Sequence, residues 1–138
     1  VWFTAVLRAD YAPIVIREGA HVHDGSVLHA PPGIPVDIGP RATIAHMCTI
    51  HGAHVGAEAL VANHCTVLDG AVIGSRSLIA AHSLVVGGTQ IPAEVLVTGA
   101  PAKVKGPIAG TGAENWVNMN PQAYRDLAQR YLTGLTEI

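Results

Sequence analysis

An aliphatic residue returns at every sixth position through most of this 138-residue chain, and this repeat restricts the possible folds more than any other feature. A fixed short period indicates stacked copies of one small unit. Three six-residue units, each followed by a tight corner, make one triangular coil. The sequence therefore predicts an all-β solenoid, a three-sided parallel β-helix, over residues 1–105. The aliphatic positions, which we expect inside the prism, are Ile16, Val22, Leu28, Ile38, Ile44, Ile50, Val55, Val61, Val67, Ile73, Ile79, Val85, Ile91 and Val97.

Small side chains return four residues after many of these aliphatic positions, close to the predicted corners. Cys48 and Cys65 occupy two such positions, on what should be adjacent coils. A disulfide is sterically allowed there, because bridged Cα atoms lie about 4.4–6.8 Å apart. We nevertheless interpret both as small core residues with reduced thiols. The small positions are Ala20, Ser26, Ala42, Cys48, Ala59, Cys65, Ala71, Ser77 and Ser83.

The repeat also converts the spacing of three histidines into an arrangement in space. His29 and His51 each follow an inward aliphatic residue, and residues 31–35 between them (PPGIP) have the composition of a loop extruded from one corner. With that loop set aside, the two imidazoles stack on adjacent coils about 4.8 Å apart. His46 belongs to the preceding unit and should project from a different face. Neighbouring prisms in a trimer can bring all three together, with the third ligand from the next subunit.

Three imidazoles around an open fourth position are typical of a catalytic zinc-type site. The alternative for each histidine is an ordinary surface residue or a hydrogen-bonded core residue, and the repeat alone leaves both interpretations open. His64 and His82 occupy the fourth position of their units, where the chain turns sharply. Because histidine tolerates a positive φ better than most residues, we interpret these two as turn residues.

Five segments carry motifs that together point to a known family. They are residues 1–10 (VWFTAVLRAD), 24–29 (DGSVLH), 44–52 (IAHMCTIHG), 67–70 (VLDG) and 99–104 (GAPAKV). In order and spacing they resemble the γ-class carbonic anhydrase family of hexapeptide-repeat proteins, and the resemblance covers almost the whole chain. It implies a left-handed parallel β-helix, although parallel crossovers are generally right-handed. It also implies a homotrimer with Zn²⁺, or Fe²⁺ or Co²⁺, between subunits.

The same resemblance implies both the ligands and the reaction. The family's metal-binding histidines fall on His29, His46 and His51. A hydroxide on the metal would attack CO2 and give bicarbonate, because a zinc-type ion lowers the pKa of bound water from about 15.7 to about 7. The expected activity is therefore that of a γ-type carbonic anhydrase, a lyase.

Four further residues match positions around the family's site. Arg8 and Asp10 correspond to a pair that links subunits beside the metal, although an ordinary salt bridge fits the same pattern. Asp24 corresponds to a member of the same network. His23 stands where the family has a glutamine that orients the metal-bound water, so its ring would orient that water, carry a proton or crowd the site.

A second departure from the family concerns the loop after the first ligand. Residues 30–35 (APPGIP) contain no acid, whereas some family members carry a glutamate proposed to shuttle protons there. Metal binding is therefore better supported by the sequence than rapid CO2 hydration. Two other classes stay open: hydrolysis of an acyl-CoA thioester at the same site, and a non-catalytic metal-binding trimer that serves as a scaffold. Hexapeptide acyltransferases rank below both, because they typically lack this arrangement of histidines.

The composition agrees with one compact domain and excludes two partner classes. Aromatic residues make up 4% of the chain and glycine is abundant, as a narrow prism filled by small aliphatic residues requires. The net charge of −2 gives no electrostatic footprint for nucleic acid, and no run of eighteen apolar residues predicts a membrane helix. We expect a small-molecule substrate and a cytoplasmic location. The chain begins at Val1 in mid-pattern, so we also expect one or two further coils upstream.

After Lys105 the repeat stops, and residues 106–138 are predicted to form a connector and one helix. Asn120 is a good N-cap, Pro121 suits the first helical position and Gly134 can end the helix. The apolar residues at helical spacing should pack on the outside of the prism, and the two tyrosines among them are also candidates for contact with the site. This stripe consists of Tyr124, Leu127, Ala128, Tyr131 and Leu132.

Overall fold

The computed structural model describes residues 1–135 and contains a three-sided β-helix followed by one α-helix. Short strands wind through about five turns, and each face of the prism is one sheet whose neighbouring strands are parallel. Face A contains β1 (Val6–Arg8), β4 (Val27–His29), β7 (Thr49–His51), β10 (Thr66–Val67) and β13 (Leu84–Val85). Face B contains β2 (Ile14–Ile16), β5 (Val36–Ile38), β8 (His54–Val55), β11 (Val72–Ile73) and β14 (Gln90–Ile91). Face C contains β3 (His21–Val22), β6 (Thr43–Ile44), β9 (Leu60–Val61), β12 (Leu78–Ile79), β15 (Val95–Thr98) and the antiparallel β16 (Lys103–Pro107).

The aliphatic repeat fills the inside of this prism, which confirms the predicted solenoid. Every repeat residue from Val22 to Val97 is buried, and Ile44, Val61 and Ile79 are completely inaccessible to solvent. Because each coil stacks directly on the next, the backbone N–H and C=O groups of one coil bond to the coils above and below it. The core is therefore continuous along the axis, and a residue's phase in the repeat decides which face it occupies.

The two cysteines occupy the core as expected. Thr49 and Thr66 are register partners, so the preceding Cys48 and Cys65 lie on adjacent coils. Both are buried and unbridged, which confirms the prediction of reduced thiols. Burial raises the pKa of the Cys48 thiol to about 12, so it has no thiolate character at neutral pH.

The corners hold the predicted turn residues. His64 and His82 both have φ of 59°, which confirms their assignment to the left-handed region. Their rings stack in parallel on adjacent coils, with centroids 4.8 Å apart. A second corner carries charged residues at the same kind of position, in the order Arg41, Glu58, Arg76 and Glu94.

The helix begins earlier than the sequence predicted. It spans Gly112–Gly134, with Thr111 as the N-cap, and Pro121 lies inside it rather than at its start. The expected start at Asn120 was therefore wrong, and the predicted connector over residues 106–118 is replaced by the end of β16, a short link and the first two turns of the helix. The end at Gly134 is confirmed, and residues 136–138 lie outside the described part of the chain.

The helix α1 (Gly112–Gly134) packs on the outside of face C of its own chain. Val117 is buried against Leu60, Leu78 and Ile108. Of the predicted apolar stripe, Tyr124, Leu127 and Ala128 are half-buried, whereas Tyr131 and Leu132 are exposed. The N-terminal half of the helix therefore packs most closely against the prism. The sequence pattern had assigned the first residues of this half to the connector. Within residues 1–135, no helix is long and apolar enough to cross a membrane.

Candidate metal centre

Two of the predicted ligands meet at the end of face A. His29 in β4 and His51 in β7 are register partners, which confirms that they stack on adjacent coils. The Nδ1 atom of His29 lies 2.8 Å from the Nε2 atom of His51, and both side chains are only partly exposed. The strand register alone produces this pair, because both residues follow an inward aliphatic residue by one position.

A carboxylate contacts the other nitrogen of each of these rings. Asp10 Oδ2 lies 3.3 Å from His29 Nε2 and 3.1 Å from a guanidinium nitrogen of Arg8. Asp69 bonds to His51 Nδ1 through a short contact. The sequence analysis singled out Asp10 and Arg8 but missed Asp69. The available signal was that Asp69 follows His51 by one coil, at the same corner of the prism.

These contacts determine the state of the two facing nitrogens. An ionised carboxylate only accepts hydrogen bonds, so His29 donates from Nε2 to Asp10 and His51 donates from Nδ1 to Asp69. The remaining nitrogens then direct lone pairs toward each other across 2.8 Å. Two such lone pairs repel unless a proton or a metal cation lies between them. Nitrogen ligands about 2.0–2.1 Å from a tetrahedral ion are about 3.4 Å apart, so a small outward rotation of the rings fits zinc.

The third predicted ligand lies at the opposite edge of the same face. His46 occupies the corner between β6 and β7, five residues before His51. The corner turn and the whole of β7 separate His46 from His51, so the two rings lie at opposite edges of face A and do not form one ligand group within a chain. His46 was expected to project from a different face, but it lies at the far corner of face A. Among residues 1–135, no three His, Cys, Asp or Glu side chains are grouped to hold a metal ion.

His46 nevertheless has the same kind of environment as the other two histidines. Its Nδ1 atom lies 3.0 Å from Oδ2 of Asp24, which the sequence had also placed near the site. Its Nε2 atom lies 3.3 Å from the hydroxyl of Tyr124 on α1. When the proton is on the Nδ1 atom that faces Asp24, Nε2 carries the free lone pair. Burial, and then the charge of Asp24, raises the pKa of Tyr124, so this phenol stays protonated and can donate to His46.

His23 lies beside His46 and not beside the His29–His51 pair. Its ring is 1% exposed, with its centroid 4.7 Å from that of His46 and 3.8 Å from that of Tyr124. Nε2 of His23 contacts Nδ1 of His21 at 2.7 Å, whereas Nδ1 of His23 has no hydrogen-bond partner among residues 1–135. Burial lowers the pKa of His23 to about 3 and that of His21 to about 4, so both rings are neutral at physiological pH.

A groove of about 400 Å³ opens next to these rings, between α1 and face C. His23 and His46 form one side of it, and Trp116 and Tyr124 of the helix form another. Most of the remaining lining is aliphatic. The groove therefore connects the surroundings of His46 to a pocket formed entirely by residues of one chain.

No protein-family model matches this chain, but known proteins and solved structures resemble it. It is 36% identical over 133 residues to the carnitine operon protein CaiE of Salmonella typhimurium, which covers 96% of this chain and 67% of that protein. The chain belongs to the hexapeptide-repeat β-helix family. Its fold is accordingly the left-handed parallel β-helix expected from the sequence.

Solved structures of other hexapeptide-repeat proteins agree with this assignment. A Bacillus cereus protein provisionally described as an acetyltransferase superposes with a TM-score of 0.89 and 32% identity, over 94% of this chain and 75% of that one. A hexapeptide transferase family protein of Anaplasma phagocytophilum superposes with a TM-score of 0.86 and 29% identity, over 94% of this chain and 76% of that one. These relatives show the family to which the chain belongs, and their names include transferases as well as CaiE.

Proposed function

We propose that this hexapeptide-repeat protein is a homotrimer that binds one divalent cation at each subunit interface and hydrates CO2. The ligands would be Nδ1 of His29 and Nε2 of His51 from one subunit, with Nε2 of the third histidine supplied by His46 of the partner subunit. The cation would be Zn²⁺, with Fe²⁺ or Co²⁺ as alternatives. When bound, such an ion supplies the Lewis acidity that makes water a nucleophile near neutral pH.

One observation carries this proposal: each of the three histidines has one ring nitrogen within 3.3 Å of an aspartate oxygen. The pairs are His29 with Asp10, His51 with Asp69, and His46 with Asp24. A carboxylate behind an imidazole selects the tautomer that leaves the other nitrogen free, orients the ring and raises its basicity as a ligand. A role in a turn or on the surface would not explain why each of the three histidines has an aspartate beside it.

The surfaces of the prism support the shared site. Face C is covered by α1, and face B turns polar residues such as Asp37 and Gln90 outward. Face A exposes aliphatic side chains on two adjacent strands, with Val6 49% and Val27 39% accessible, whereas Val15 on face B is 38% accessible and lies beside Asp37. Burial of this face against a neighbouring copy would stabilise an assembly. Since His46 and the His29–His51 pair lie at its two ends, threefold packing would bring one end against the other.

The chain's own residues have distinct tasks in this reaction. Asp10, Asp69 and Asp24 hold the ligands in the required tautomers, and Arg8 holds Asp10 by an ion pair. Tyr124 donates to His46 in the isolated chain and must release it for metal binding. His23 is buried beside His46, with ring centroids 4.7 Å apart, and would contribute a neutral imidazole next to this ligand.

Metal analysis of the purified protein tests the proposed ligands. We expect about one ion per chain, and loss of most of it in His29→Ala, His46→Ala or His51→Ala, because three ligands are needed for tight binding. The matched control is His64→Asn, which removes an exposed histidine and keeps a residue suited to positive φ. Full metal content in His46→Ala would contradict the proposal.

Mixed trimers test whether the site is shared. When His46→Ala and His51→Ala chains are co-expressed in equal amounts, about a quarter of the interfaces should contain a complete ligand set, because each site takes two ligands from one chain and one from the next. If all three ligands came from one chain, mixing would restore no metal.

Stopped-flow measurement of CO2 hydration on the metal-loaded protein tests the reaction. We expect catalysis that disappears in His46→Ala and persists in His64→Asn. Full metal occupancy without hydration would favour the non-catalytic scaffold or a different substrate at the same site.

A further inference from the structure

The hydroxyl of Tyr124 lies 3.3 Å from Nε2 of His46, the ring nitrogen that would bind the cation. We propose that this contact is a latch: Tyr124 holds His46 in the metal-free protein, competes with the cation for it, and so sets the metal concentration at which the site fills. The inference concerns the regulation of the candidate metal centre and rests on the proposed function, because only there is His46 a ligand.

The phenol and a cation exclude each other at Nε2 of His46. With the ring proton on the Nδ1 atom that faces Asp24, Nε2 carries the only lone pair of the ring. One lone pair accepts a hydrogen bond or binds a cation, and it cannot do both. A phenol is a donor at neutral pH, because its ordinary pKa is about 10. Metal binding therefore has to break the contact between Tyr124 and His46.

Aromatic packing holds the phenol in this position. The ring of Tyr124 stacks on that of His23, with centroids 3.8 Å apart and an angle of 27° between the planes. His23 is 1% exposed, so it is a fixed support for this stack. The indole of Trp2 meets the other part of the phenol edge-on, with centroids 5.6 Å apart. The hydroxyl is therefore held against His46 and does not simply turn toward solvent.

The helix provides a way to release the phenol without unfolding the chain. Pro121 lies inside α1, three residues before Tyr124, and has no N–H to donate to the preceding turn. Helices bend at such positions. Before Pro121, Val117 is buried against face C, whereas Tyr131 and Leu132 after it are exposed. The half of α1 that follows Pro121 can therefore move with Tyr124 while the first half stays packed.

Zinc titration against a chromophoric chelator tests the competition. Tyr124→Phe removes the hydroxyl and keeps the stacked ring. It should bind Zn²⁺ about fivefold more tightly than the native protein, or by about 1 kcal/mol, because one neutral hydrogen bond no longer has to be broken. Tyr131→Phe is the matched control, since its ring contacts Trp2 and Phe3 instead of a ligand, and its affinity should equal that of the native protein.

The contact itself is measured without metal, by nitrogen-15 nuclear magnetic resonance of His46. In the metal-free native protein, Nε2 should have the chemical shift of a hydrogen-bonded acceptor, and Tyr124→Phe should move it toward that of a free acceptor. The same spectrum should place the ring proton on Nδ1, beside Asp24. A proton on Nε2, or an Nε2 signal that is the same in Tyr124→Phe, would overturn the latch.

Fluorine nuclear magnetic resonance of protein that contains 3-fluorotyrosine follows the release. Zn²⁺ should shift the signals of both Tyr124 and Tyr131, because both lie on the half of α1 that follows Pro121. Their phenylalanine variants assign the two signals. In His51→Ala, which keeps the latch and lacks a ligand, neither signal should shift at the same zinc concentration. A Tyr131 signal that Zn²⁺ leaves unchanged in the native protein would overturn the movement of the helix.

The affinities separate this inference from the proposed function. If the native protein and Tyr124→Phe bind Zn²⁺ equally well, and His46→Ala does not, the latch fails and the proposed ligands stand. Weaker binding by Tyr124→Phe leads to the same conclusion. If neither the native protein nor Tyr124→Phe binds Zn²⁺, the proposed function fails and the latch fails with it.

Discussion

A substitution that changes one side-chain oxygen of Asp69 gives a direct test of the candidate metal centre. Asp69 bonds to His51 Nδ1 and so leaves Nε2 free to face His29. Asp69→Asn keeps the size of the side chain but can donate, which permits the wrong tautomer of His51. We expect metal affinity to fall about 10- to 100-fold, as is typical when a carboxylate behind a ligating histidine is lost.

Competition with a chromophoric chelator measures this change. Asp126→Asn is the matched control, because Asp126 lies on α1 and contacts only Gln122 among the hydrogen bonds described. Unchanged affinity in Asp69→Asn would show that His51 does not depend on its carboxylate for ligation.

The histidines and the aspartates of the site differ in how far the sequence reveals them. Counting positions in the repeat placed His29 beside His51, because an eighteen-residue coil and one extruded loop determine their register. The carboxylate behind His51 required the geometry of a corner, where a difference of one residue decides which side chain Asp69 touches. The unpartnered Nδ1 atom of His23 depends on side-chain orientations, which the spacing of residues does not reveal.

At the scale of elements, a ladder of charges closes one corner of the prism. Glu58 accepts from Arg41 in the coil above and from Arg76 in the coil below, the latter at 2.8 Å. All three residues have positive φ, so their side chains are stacked by the repeat itself. Glu58→Gln should lower the free energy of unfolding at pH 7 by about 1 kcal/mol, a value appropriate to a partly exposed network.

The effect should depend on pH in a defined direction. The hydrogen bonds from Arg41, and then Arg76, lower the pKa of Glu58 below its unfolded value. Its contribution is therefore complete above the unfolded pKa, about 4.3, and is lost as the pH falls through the folded pKa. Urea unfolding should show native protein and Glu58→Gln differing at pH 7, with the difference shrinking as the pH falls below about 4.3 and Glu58 becomes protonated. Glu94→Gln, at the exposed end of the ladder, should change stability by less than about 0.5 kcal/mol throughout this pH range.

The start of α1 is fixed by a cap that the sequence analysis passed over. Thr111 Oγ1 accepts from the N–H of Ala113, and Glu114 accepts from the N–H of Gly110. This is a variant of the Thr-x-x-Glu capping pattern. Asn120 and Pro121 resembled a start because proline is favoured in the first turn, but burial of Val117 against face C stabilises the helix through the preceding residues. Tertiary packing here outweighs the local preference.

Substitution of the cap tests this assignment. Thr111→Ala should lower the free energy of unfolding by about 1 kcal/mol, because an N-terminal N–H loses its acceptor. Thr133→Ala, near the exposed C-terminal end of α1, should change it by less than about 0.5 kcal/mol. Thermal or urea unfolding compares the two, and equal effects would contradict the assignment of Thr111 as the cap.

At the scale of the whole molecule, the three faces of the prism have three different environments. The helix covers face C, face B carries polar side chains beside Val15, and face A leaves Val6 and Val27 exposed on adjacent strands. The repeat predicted the prism but not this division, because the outward positions of a two-residue strand carry too little pattern to distinguish solvent from another protein. The division matters for function, since both halves of the candidate metal centre lie at the edges of face A.

A matched pair of substitutions tests whether face A assembles the site. Val27, at the start of β4 on face A, and Val15, in β2 on face B, are 39% and 38% exposed. A lysine at either position costs a single chain little, because the outward side of a strand tolerates charge. If the proposed trimer forms through face A, Val27→Lys should convert it into folded monomers, because the charge would be buried without a partner. Val15→Lys should leave the trimer intact, with its lysine beside Asp37.

Sedimentation, circular dichroism and metal analysis on the same samples make the comparison. Metal should be lost together with the trimer in Val27→Lys, because His46 would no longer meet His29 and His51. A Val27→Lys trimer would exclude face A as the interface, and metal-loaded monomers would place all the ligands in one chain.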